Sequence, residues 1–359
     1  MRSHKLHGQP IPSSLVALAR AGAGVNNIPV EEYTEKGIVV FNTPGANANA
    51  VKELIVASLL IGSRDIIGGI EYANALIGIN DFAEMNRLLE KEKKRFAGEE
   101  IFGKTLGIVG LGAIGSMVAN LGSSLGMKVI GYDPAISVET AWQLSSKVKR
   151  MDSLETLLSQ SDFVTLHVPA IPSTKDLINS KNLRKMKPSA KLLNFARAEI
   201  VNLNDLIDAI ENKVIGGYIS DFPMPGMIGL KNVLLMPHIG ASTKEAEENC
   251  AIMAASQLRD FLENGNIKNS VNFPNLHLDR DSSATKGSRL AISNKNVPKM
   301  LGQILSVLAD QNINVIDMLN KSRYEIAYNL IDLEATPSDQ AIDCLLYTSP
   351  SPRDRTRSR

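Results

Sequence analysis

Short apolar runs alternate along this chain with longer segments in which apolar residues recur every three or four positions. The runs predict buried strands, and the helical spacing predicts amphipathic helices between them. Predicted strands are 15–20, 37–41, 106–109, 128–132, 163–168, 192–196, 214–219 and 233–236, and predicted helices include 48–61, 82–96, 113–125, 153–160, 203–212 and 244–264. This alternation gives an α/β fold with a parallel sheet covered on both faces.

The pattern changes near residue 289. Strands are predicted at 290–293, 313–319 and 326–335, with a helix at 298–310 and another that opens at Ser338. The order β-α-β-β-α predicts a separate and smaller α+β domain.

Three glycines carry the strongest chemical signal. Gly110, Gly112 and Gly115 have the spacing G-x-G-x-x-G, directly after a predicted strand and at the start of a predicted helix. In that context the backbone can approach a pyrophosphate, which the helix N-terminus attracts. Asp133 ends the next strand, where a carboxylate accepts hydrogen bonds from ribose hydroxyls and repels a 2′-phosphate. An ordinary glycine-rich turn would lack this setting, so NAD is the predicted cofactor.

The composition argues against several classes of protein. With 359 residues the chain suggests two or three domains, and its net charge of +1 gives no general reason to bind nucleic acid. No apolar run approaches the roughly 20 residues that span a membrane. Two cysteines make neither a disulfide framework nor a metal cluster, so no metal is predicted and a cytoplasmic location is favoured.

The last sixteen residues, 344–359, differ from the rest because Pro, Ser and Arg dominate them. One interpretation is a basic tail that binds nucleic acid or partners. The favoured interpretation is a non-native tail, because the run interrupts a predicted helix and resembles translated adapter sequence.

Six stretches, in order, resemble the D-isomer-specific 2-hydroxyacid dehydrogenases: RAGAGVNNIP, FNTPGANANAVKEL, GLGAIG, LHVPAIPSTKDLIN, NFARAEIVN and PHIGAST. The resemblance implies a Rossmann doubly wound parallel sheet inserted in a flavodoxin-like substrate lobe. The last segment resembles an ACT domain, a regulatory module. The implied domains are a substrate lobe at 1–72 and 242–275, an NAD-binding Rossmann domain at 73–241, and an incomplete ACT-like domain at 286–343. The native product is expected to be longer at both ends.

The resemblance also implies residue roles. His238 corresponds to the family's acid/base histidine, although a lone histidine after a strand could equally be structural, as is expected of His167. Arg197 corresponds to the arginine that clamps the substrate carboxylate, the alternative being a surface salt bridge. Implied cofactor contacts are Gly110, Gly112, Ala113, Ile114, Gly115, Asp133, Val168, Pro169, Phe195, Ala196, Arg197, Asp221, His238, Gly240 and Ala241. Implied substrate contacts are Arg2, Arg20, Gly22, Ala23 and Asn26.

The implied reaction is the NAD-dependent oxidation of 3-phospho-D-glycerate to 3-phosphohydroxypyruvate, the first step of L-serine biosynthesis. The alternatives are another 2-hydroxyacid dehydrogenase, such as a glyoxylate or hydroxypyruvate reductase, and a non-catalytic NAD-sensing protein. A homodimer or homotetramer is expected, with no nucleic-acid or membrane partner. L-serine is a possible effector at Asn294, Asn296 and Asn314.

Three positions depart from the family pattern. A glutamate that partners the catalytic histidine is expected a few residues after Asp221, where this chain has Met224 and Pro225. Without it the imidazolium form of His238 loses a stabilising charge, so a slower reaction at neutral pH is expected unless Glu199 or Asp221 substitutes. Ala198 and Lys299 each replace a glycine that is common in related chains.

Overall fold

The computed structural model describes residues 4–279, 287–348 and 357–358, so the candidate residue Arg2 lies outside the described residues. The chain divides into a central unit, Asn47–Ala246, and a terminal unit, Met1–Ala46 with Glu247–Arg359. In chain order the strands and helices are β1 (Ala17–Ala19), α1 (Val30–Glu35), β2 (Val39–Phe41), α2 (Ala48–Ser63), α3 (Ile66–Ala75), α4 (Phe82–Glu92), β3 (Thr105–Val109), α5 (Ala113–Ser124), β4 (Lys128–Tyr132), α6 (Val138–Trp142), β5 (Lys149–Arg150), α7 (Leu154–Gln160), β6 (Phe163–Leu166), α8 (Ser180–Leu183), β7 (Lys191–Asn194), α9 (Leu203–Glu211), β8 (Gly217–Ser220), β9 (Val233–Leu235), α10 (Lys244–Asn264), β10 (Ser288–Lys295), α11 (Met300–Asp310), β11 (Val315–Arg323), β12 (Ile326–Leu333), α12 (Asp339–Thr348) and β13 (Arg357–Ser358).

The central unit is built on a seven-stranded sheet with the order β5-β4-β3-β6-β7-β8-β9. Every neighbouring pair in it is parallel. The chain starts in the middle at β3, winds outward to β5, and then returns to continue on the other side from β6. This reversal is the doubly wound arrangement, so the predicted Rossmann topology is confirmed.

Apolar side chains fill both faces of this sheet. One core gathers the buried faces of α7 and α9, with Leu157 and Leu206 among its members. The other lies under α2 and α5 and includes Ile55, Leu59 and Val118. Because α2 packs on this sheet, the compact central unit also includes residues 47–72, which precede the predicted Rossmann domain at 73–241.

Strand β8 begins later than the predicted 214–219. Lys213 has a φ of 56°, and the amide of Val214 donates to the carbonyl of Ala209, so both residues complete the end of α9. Ile215 is nevertheless buried, so an apolar residue outside the strand adds to the pattern that predicts one.

The terminal unit contains a parallel pair, β1-β2, and an antiparallel sheet with the order β11-β12-β10-β13. The predicted β-α-β-β-α order is confirmed by β10, α11, β11, β12 and α12. One face of this antiparallel sheet packs on α11 and α12. Its other face shares a core with β1, β2 and α10, in which Tyr328 and Leu330 join Phe41, Phe261 and Phe273.

Two details of the antiparallel domain differ from expectation. Helix α12 runs to Thr348, beyond residue 344 where the tail was predicted to start, because Leu345 is buried among apolar side chains of the sheet and α11. Lys299, which stands where a glycine is common, has a left-handed φ of 75° at the start of α11. A non-glycine residue pays about 1–2 kcal/mol for that conformation. None of the helices in the described residues combines the length and the apolar character of a membrane-spanning segment.

Candidate active site

The predicted site residues of the central unit follow a single row across its sheet. Six residues at the carboxyl ends of neighbouring strands are register partners of one another: Tyr132, Val109, Leu166, Asn194, Ser220 and Leu235. The candidates are the next one to three residues on each strand: Asp133, Gly110, Val168, Arg197, Asp221 and His238. Ligands of open parallel sheets bind at this edge. The row therefore brings together residues that are more than 120 positions apart in sequence.

The glycine-rich turn has no room for side chains at two of its three glycines. Gly110 has a φ of 91°, and a Cβ there would lie 2.8 Å from the carbonyl carbon and oxygen of His167. A Cβ on Gly115 would collide with the carbonyl oxygen of Gly110. At Gly112, in contrast, a Cβ would meet nothing within 4 Å. The first and third glycines thus close the turn, while the second leaves the space above the helix open.

The Asp133 carboxylate braces this turn. Its two oxygens accept hydrogen bonds from the amides of Leu111, at 2.8 Å, and Ala135, at 2.9 Å. The side chain is still partly exposed. A carboxylate has about four acceptor positions, so ribose hydroxyls could bind in addition to the two amides. The backbone contacts were not foreseen from the sequence.

His167 lies beneath the turn. Its amide donates to the carbonyl of Val109, and its Nε2 lies 3.0 Å from the hydroxyl of Thr165. Desolvation lowers the pKa of His167 to about 3, so the ring is neutral at pH 7. These features support its interpretation as a structural residue.

Asn194 fixes the loop that carries Arg197. Its fully buried side chain donates to the carbonyl of Arg197, at 2.8 Å, and to the hydroxyl of Tyr218, at 3.2 Å. Its side-chain oxygen accepts from the amide of Ala196 at 3.2 Å. Sequence reasoning missed this role, although a polar residue ending an apolar strand just before the candidate arginine was a usable signal.

The guanidinium of Arg197 is partly buried, and its Nη1 donates to the carbonyl of Ala196 at 2.7 Å. Within the part of the chain that the structure describes, no salt bridge includes Arg197. The predicted alternative of a surface salt bridge is therefore not observed there. The remaining donors of the fork suit an incoming carboxylate. Phe195, in the same loop, is buried in the core, so only its backbone faces the edge of the sheet.

Asp221 does not contact the imidazole of His238. Its oxygens accept hydrogen bonds from the two backbone amides that follow His238, those of Ile239 at 2.7 Å and Gly240 at 2.6 Å. The carboxylate is 2% exposed. It therefore holds the backbone that follows His238, a role that the sequence did not predict. A Cβ on Gly240 would lie 2.9 Å from Oδ2 of Asp221, so a side chain there would have to displace the carboxylate.

His238 is exposed and has a left-handed φ of 58°. Its ring packs on Phe222, with 4.9 Å between ring centroids and 57° between planes. In the described residues, neither Glu199 nor any other carboxylate forms a hydrogen bond or ion pair with this imidazole. The suggested substitution by Glu199 or Asp221 is thus not observed.

The terminal unit holds the substrate-contact candidates in the loop after β1. The amide of Gly22, where φ is 136°, donates to the hydroxyl of Thr43 at 2.7 Å. Asn42 donates through its side chain to the carbonyl of Ala23 at 2.6 Å. The amide of Arg20 donates to the carbonyl of Phe41, and Asn26 is exposed farther along the same loop. These contacts give the loop a defined backbone.

The three asparagines suggested as an effector site are not brought together. Asn294 is buried and accepts from Asn329 at 2.8 Å, while Asn296 donates through its side chain to the carbonyl of Tyr324. Asn314 lies at the opposite end of the sheet, where its carbonyl accepts from the amide of Glu334. The antiparallel strands between the two ends separate the candidates.

Comparison with known proteins agrees with this geometry. Residues 72–240 match the sequence profile of the D-isomer specific 2-hydroxyacid dehydrogenase NAD binding domain. A D-3-phosphoglycerate dehydrogenase of Escherichia coli K12 is 33% identical over 334 residues, which are 89% of this chain and 76% of that protein. This chain belongs to the D-isomer specific 2-hydroxyacid dehydrogenase family.

Two further members of the family extend the comparison. A D-3-phosphoglycerate dehydrogenase of Synechocystis is 39% identical over 276 residues, which are 74% of this chain but 46% of that protein. The chain therefore spans about half the length of that relative. The NAD-complexed D-isomer specific 2-hydroxyacid dehydrogenase of Lactobacillus delbrueckii has a TM-score of 0.57 and 28% identity, and the match covers 72% of this chain and 79% of that one.

NAD is the cofactor of this dehydrogenase domain, and the residues present fit it. No side chain of the described residues caps the start of α5, so its first amides, next to the open space at Gly112, suit a pyrophosphate. The carboxylate of Asp133 suits a ribose that carries no 2′-phosphate. When bound, NAD supplies the acceptor for a hydride.

Proposed function

We propose that this dehydrogenase oxidises 3-phospho-D-glycerate to 3-phosphohydroxypyruvate, the first step of L-serine biosynthesis. The observation that carries the proposal is the row of strand ends, which places a guanidinium, an imidazole and a dinucleotide turn along one edge of one sheet. The named activity of the relatives supports the choice of substrate.

Two side chains act on the substrate in this proposal. The imidazole of His238 accepts the proton of the C2 hydroxyl as the hydride leaves the same carbon. The fork of Arg197 binds the substrate carboxylate and opposes the negative charge on the C2 oxygen. The product is a ketone, because one proton and one hydride have left the alcohol carbon and its oxygen.

Substitution of His238 tests this assignment. His238→Asn should lower kcat by about 10²- to 10⁴-fold, the usual contribution of a general base, while NAD still binds. The assay follows NADH absorbance with 3-phospho-D-glycerate. The matched control is His277→Asn, because His277 is exposed in the terminal unit. Equal losses in both variants would contradict the role of His238.

Substrate identity is tested with Arg197 and Arg20. Arg197→Lys keeps the charge but loses the fork, so KM for the hydroxy acid should rise and kcat should fall. We propose Arg20, Gly22, Ala23, Asn26 and Arg2 as substrate contacts. Arg20→Ala should raise KM for 3-phospho-D-glycerate more than KM for D-glycerate, which has no phosphate. Faster turnover of D-glycerate or hydroxypyruvate would instead favour another 2-hydroxyacid dehydrogenase.

A non-catalytic NAD-binding protein is the second candidate. The lack of a carboxylate next to the ring of His238 in the described residues favours it, because such a partner stabilises an imidazolium. NAD binding measured by fluorescence, together with no turnover of any 2-hydroxy acid, would support this candidate. Turnover that is lost in His238→Asn would exclude it.

We also propose a homodimer or homotetramer that pairs through α3 and α4. Neither helix has a buried residue, and Ile70, Ile77 and Phe82 are 56%, 92% and 81% exposed. An amphipathic helix needs a surface to cover its apolar face, and a second copy of the chain supplies one. Light scattering should show a smaller particle for Ile70→Asp than for Ile228→Asp, a matched change at an exposed site elsewhere.

We infer a regulatory role for the β-α-β-β-α domain as an ACT-like module, with L-serine as the effector. The order of its elements supports this. Millimolar L-serine should raise the midpoint of heat unfolding, and D-serine is the control. An unchanged midpoint would argue against it.

We place the activity in the cytoplasm, where the buried thiol of Cys250 would stay reduced.

A further inference from the structure

The backbone of His238 is held firmly, although no charged side chain of the described residues pairs with its ring. Its own amide donates to the carbonyl of Met236 at 3.0 Å. The next two amides, Ile239 and Gly240, donate to the buried carboxylate of Asp221. A histidine with positive φ persists only when its surroundings fix it. The direction of the Cα–Cβ bond is therefore set, and only rotation of the side chain remains free.

One aromatic ring restricts that rotation. Phe222 lies 4.9 Å from the imidazole, centroid to centroid, and is tilted by 57°. This separation and tilt fall within the range that aromatic pairs prefer. In the described residues, Phe222 is the aromatic residue that contacts the imidazole of His238.

Phe222 is itself anchored to the strand that precedes Arg197. Its amide donates to the hydroxyl of Ser220 at 3.0 Å, and that hydroxyl donates to the carbonyl of Asn194 at 2.9 Å. Ser220 and Asn194 are both fully buried. The side chain of Asn194 also holds the carbonyl of Arg197. One buried network therefore supports both the ring under His238 and the loop of Arg197.

We propose that Phe222 is a positioning residue for His238, orienting the imidazole by ring packing where no carboxylate of residues 4–279 and 287–348 does so. This inference rests on the proposed function, because it assigns His238 the proton transfer. The network through Ser220 and Asn194 anchors the backbone of Phe222 and the backbone of the Arg197 loop to the same buried side chains. Proton transfer depends on such placement, since a displacement of about 1 Å can cost roughly 100-fold in rate.

Ring-labelled histidine allows the contact to be measured by NMR without any turnover. The chain has five histidines, and His238→Gln assigns the signal of interest. The wild-type protein should show nuclear Overhauser contacts between the Phe222 ring and the ring protons of His238, which should also carry a ring-current shift. Phe222→Leu should abolish both signatures, and Phe222→Tyr should keep them. Absence of the contact in the wild-type protein would overturn the inference.

Kinetics of the same variants then test the role. Phe222→Leu should lower kcat by about 10- to 100-fold with the Kd for NAD unchanged. Phe222→Tyr, which keeps an aromatic ring, should have a kcat close to that of the wild-type protein. Phe102→Leu is the matched control, because Phe102 is exposed near the opposite ends of the strands. If the wild-type protein turns over substrate and Phe222→Leu has the same kcat, the role of Phe222 would be overturned while the proposed function would stand. Lack of turnover in the wild-type protein would overturn the proposed function, while the NMR contact is measured separately.

Discussion

Asp221 offers the sharpest test of how the candidate site is held. Asp221→Asn keeps the shape of the side chain but leaves one acceptor oxygen for two backbone amides. The 2.6 Å contact with Gly240 and the 2.7 Å contact with Ile239 are charge-assisted hydrogen bonds of the stronger kind. In the variant, one of these amides must face an NH₂ group.

The expected loss follows from these two contacts. A buried amide without an acceptor costs about 1–3 kcal/mol, and the remaining bond loses about 1 kcal/mol of charge assistance. The free energy of opening the segment after His238 should therefore fall by about 2–4 kcal/mol. Since about 1.4 kcal/mol corresponds to a factor of ten, hydrogen exchange there should accelerate by about 30- to 1000-fold.

Hydrogen exchange of the Ile239 and Gly240 amides, followed by NMR or mass spectrometry, is the assay. Asp133→Asn is the matched control, because Asp133 also accepts from two backbone amides. It should accelerate exchange at Leu111 and leave the segment after His238 unchanged. If Asp221→Asn left that segment equally protected, its carboxylate would not be the clamp described above.

Three further predictions concern other parts of the fold. Gly112→Ala should weaken NAD binding with little change in unfolding by urea, whereas Gly115→Ala should lower the urea midpoint, because only its Cβ meets backbone. Stability should fall as pH drops from 6.5 toward 3, by up to about 1.4 kcal/mol per pH unit, because unfolded His167 binds a proton that the folded ring with its pKa of about 3 does not. Arg289→Met should destabilise the terminal unit by up to about 3–5 kcal/mol in urea unfolding, because the largely buried carboxylate of Asp332, 17% exposed, and three carbonyls lose their donor.

Each of these has its own contradicting result. Equal urea midpoints for the two glycine variants would refute the steric distinction. His167→Gln should flatten the pH dependence, and an unchanged slope would assign it to other groups. Adding Asp332→Leu to Arg289→Met should recover part of the loss, since the double change leaves no buried charge without a partner. Arg95→Met, at an exposed site, should have little effect.

The sequence predicted the edge of the sheet on which the candidate site lies. Strand β4 and helix α10 have the predicted bounds, because clear apolar periodicity and turn residues mark their ends. Their alternation was enough to place Gly110, Arg197 and His238 after parallel strands. The end of each strand can be predicted from local patterns, because the residues next to it in sequence are enough to mark it.

Contacts between distant residues could not be predicted in the same way. That Asp221 binds amides 18 and 19 positions away depends on the register of β8 and β9. The packing of α2 on the central sheet depends on which apolar face meets α5, and an amphipathic pattern does not name its partner. For the same reason, the packing of Phe222 on His238 could not be predicted from the sequence.

The core shared by β1, β2 and the antiparallel sheet has a practical consequence for protein engineering. Phe41 and Phe273, both no more than 1% exposed, lie in one cluster with Leu330. Excising everything after residue 286 would uncover these rings and leave the parallel pair open to aggregation. A change in the activity or stability of such a shortened protein could therefore result from the exposed apolar core, and not only from the loss of an effector site. Fusing the domain to another dehydrogenase would in turn require that the partner also supply the aromatic residues that cover this face of the sheet, such as Phe41 and Phe273.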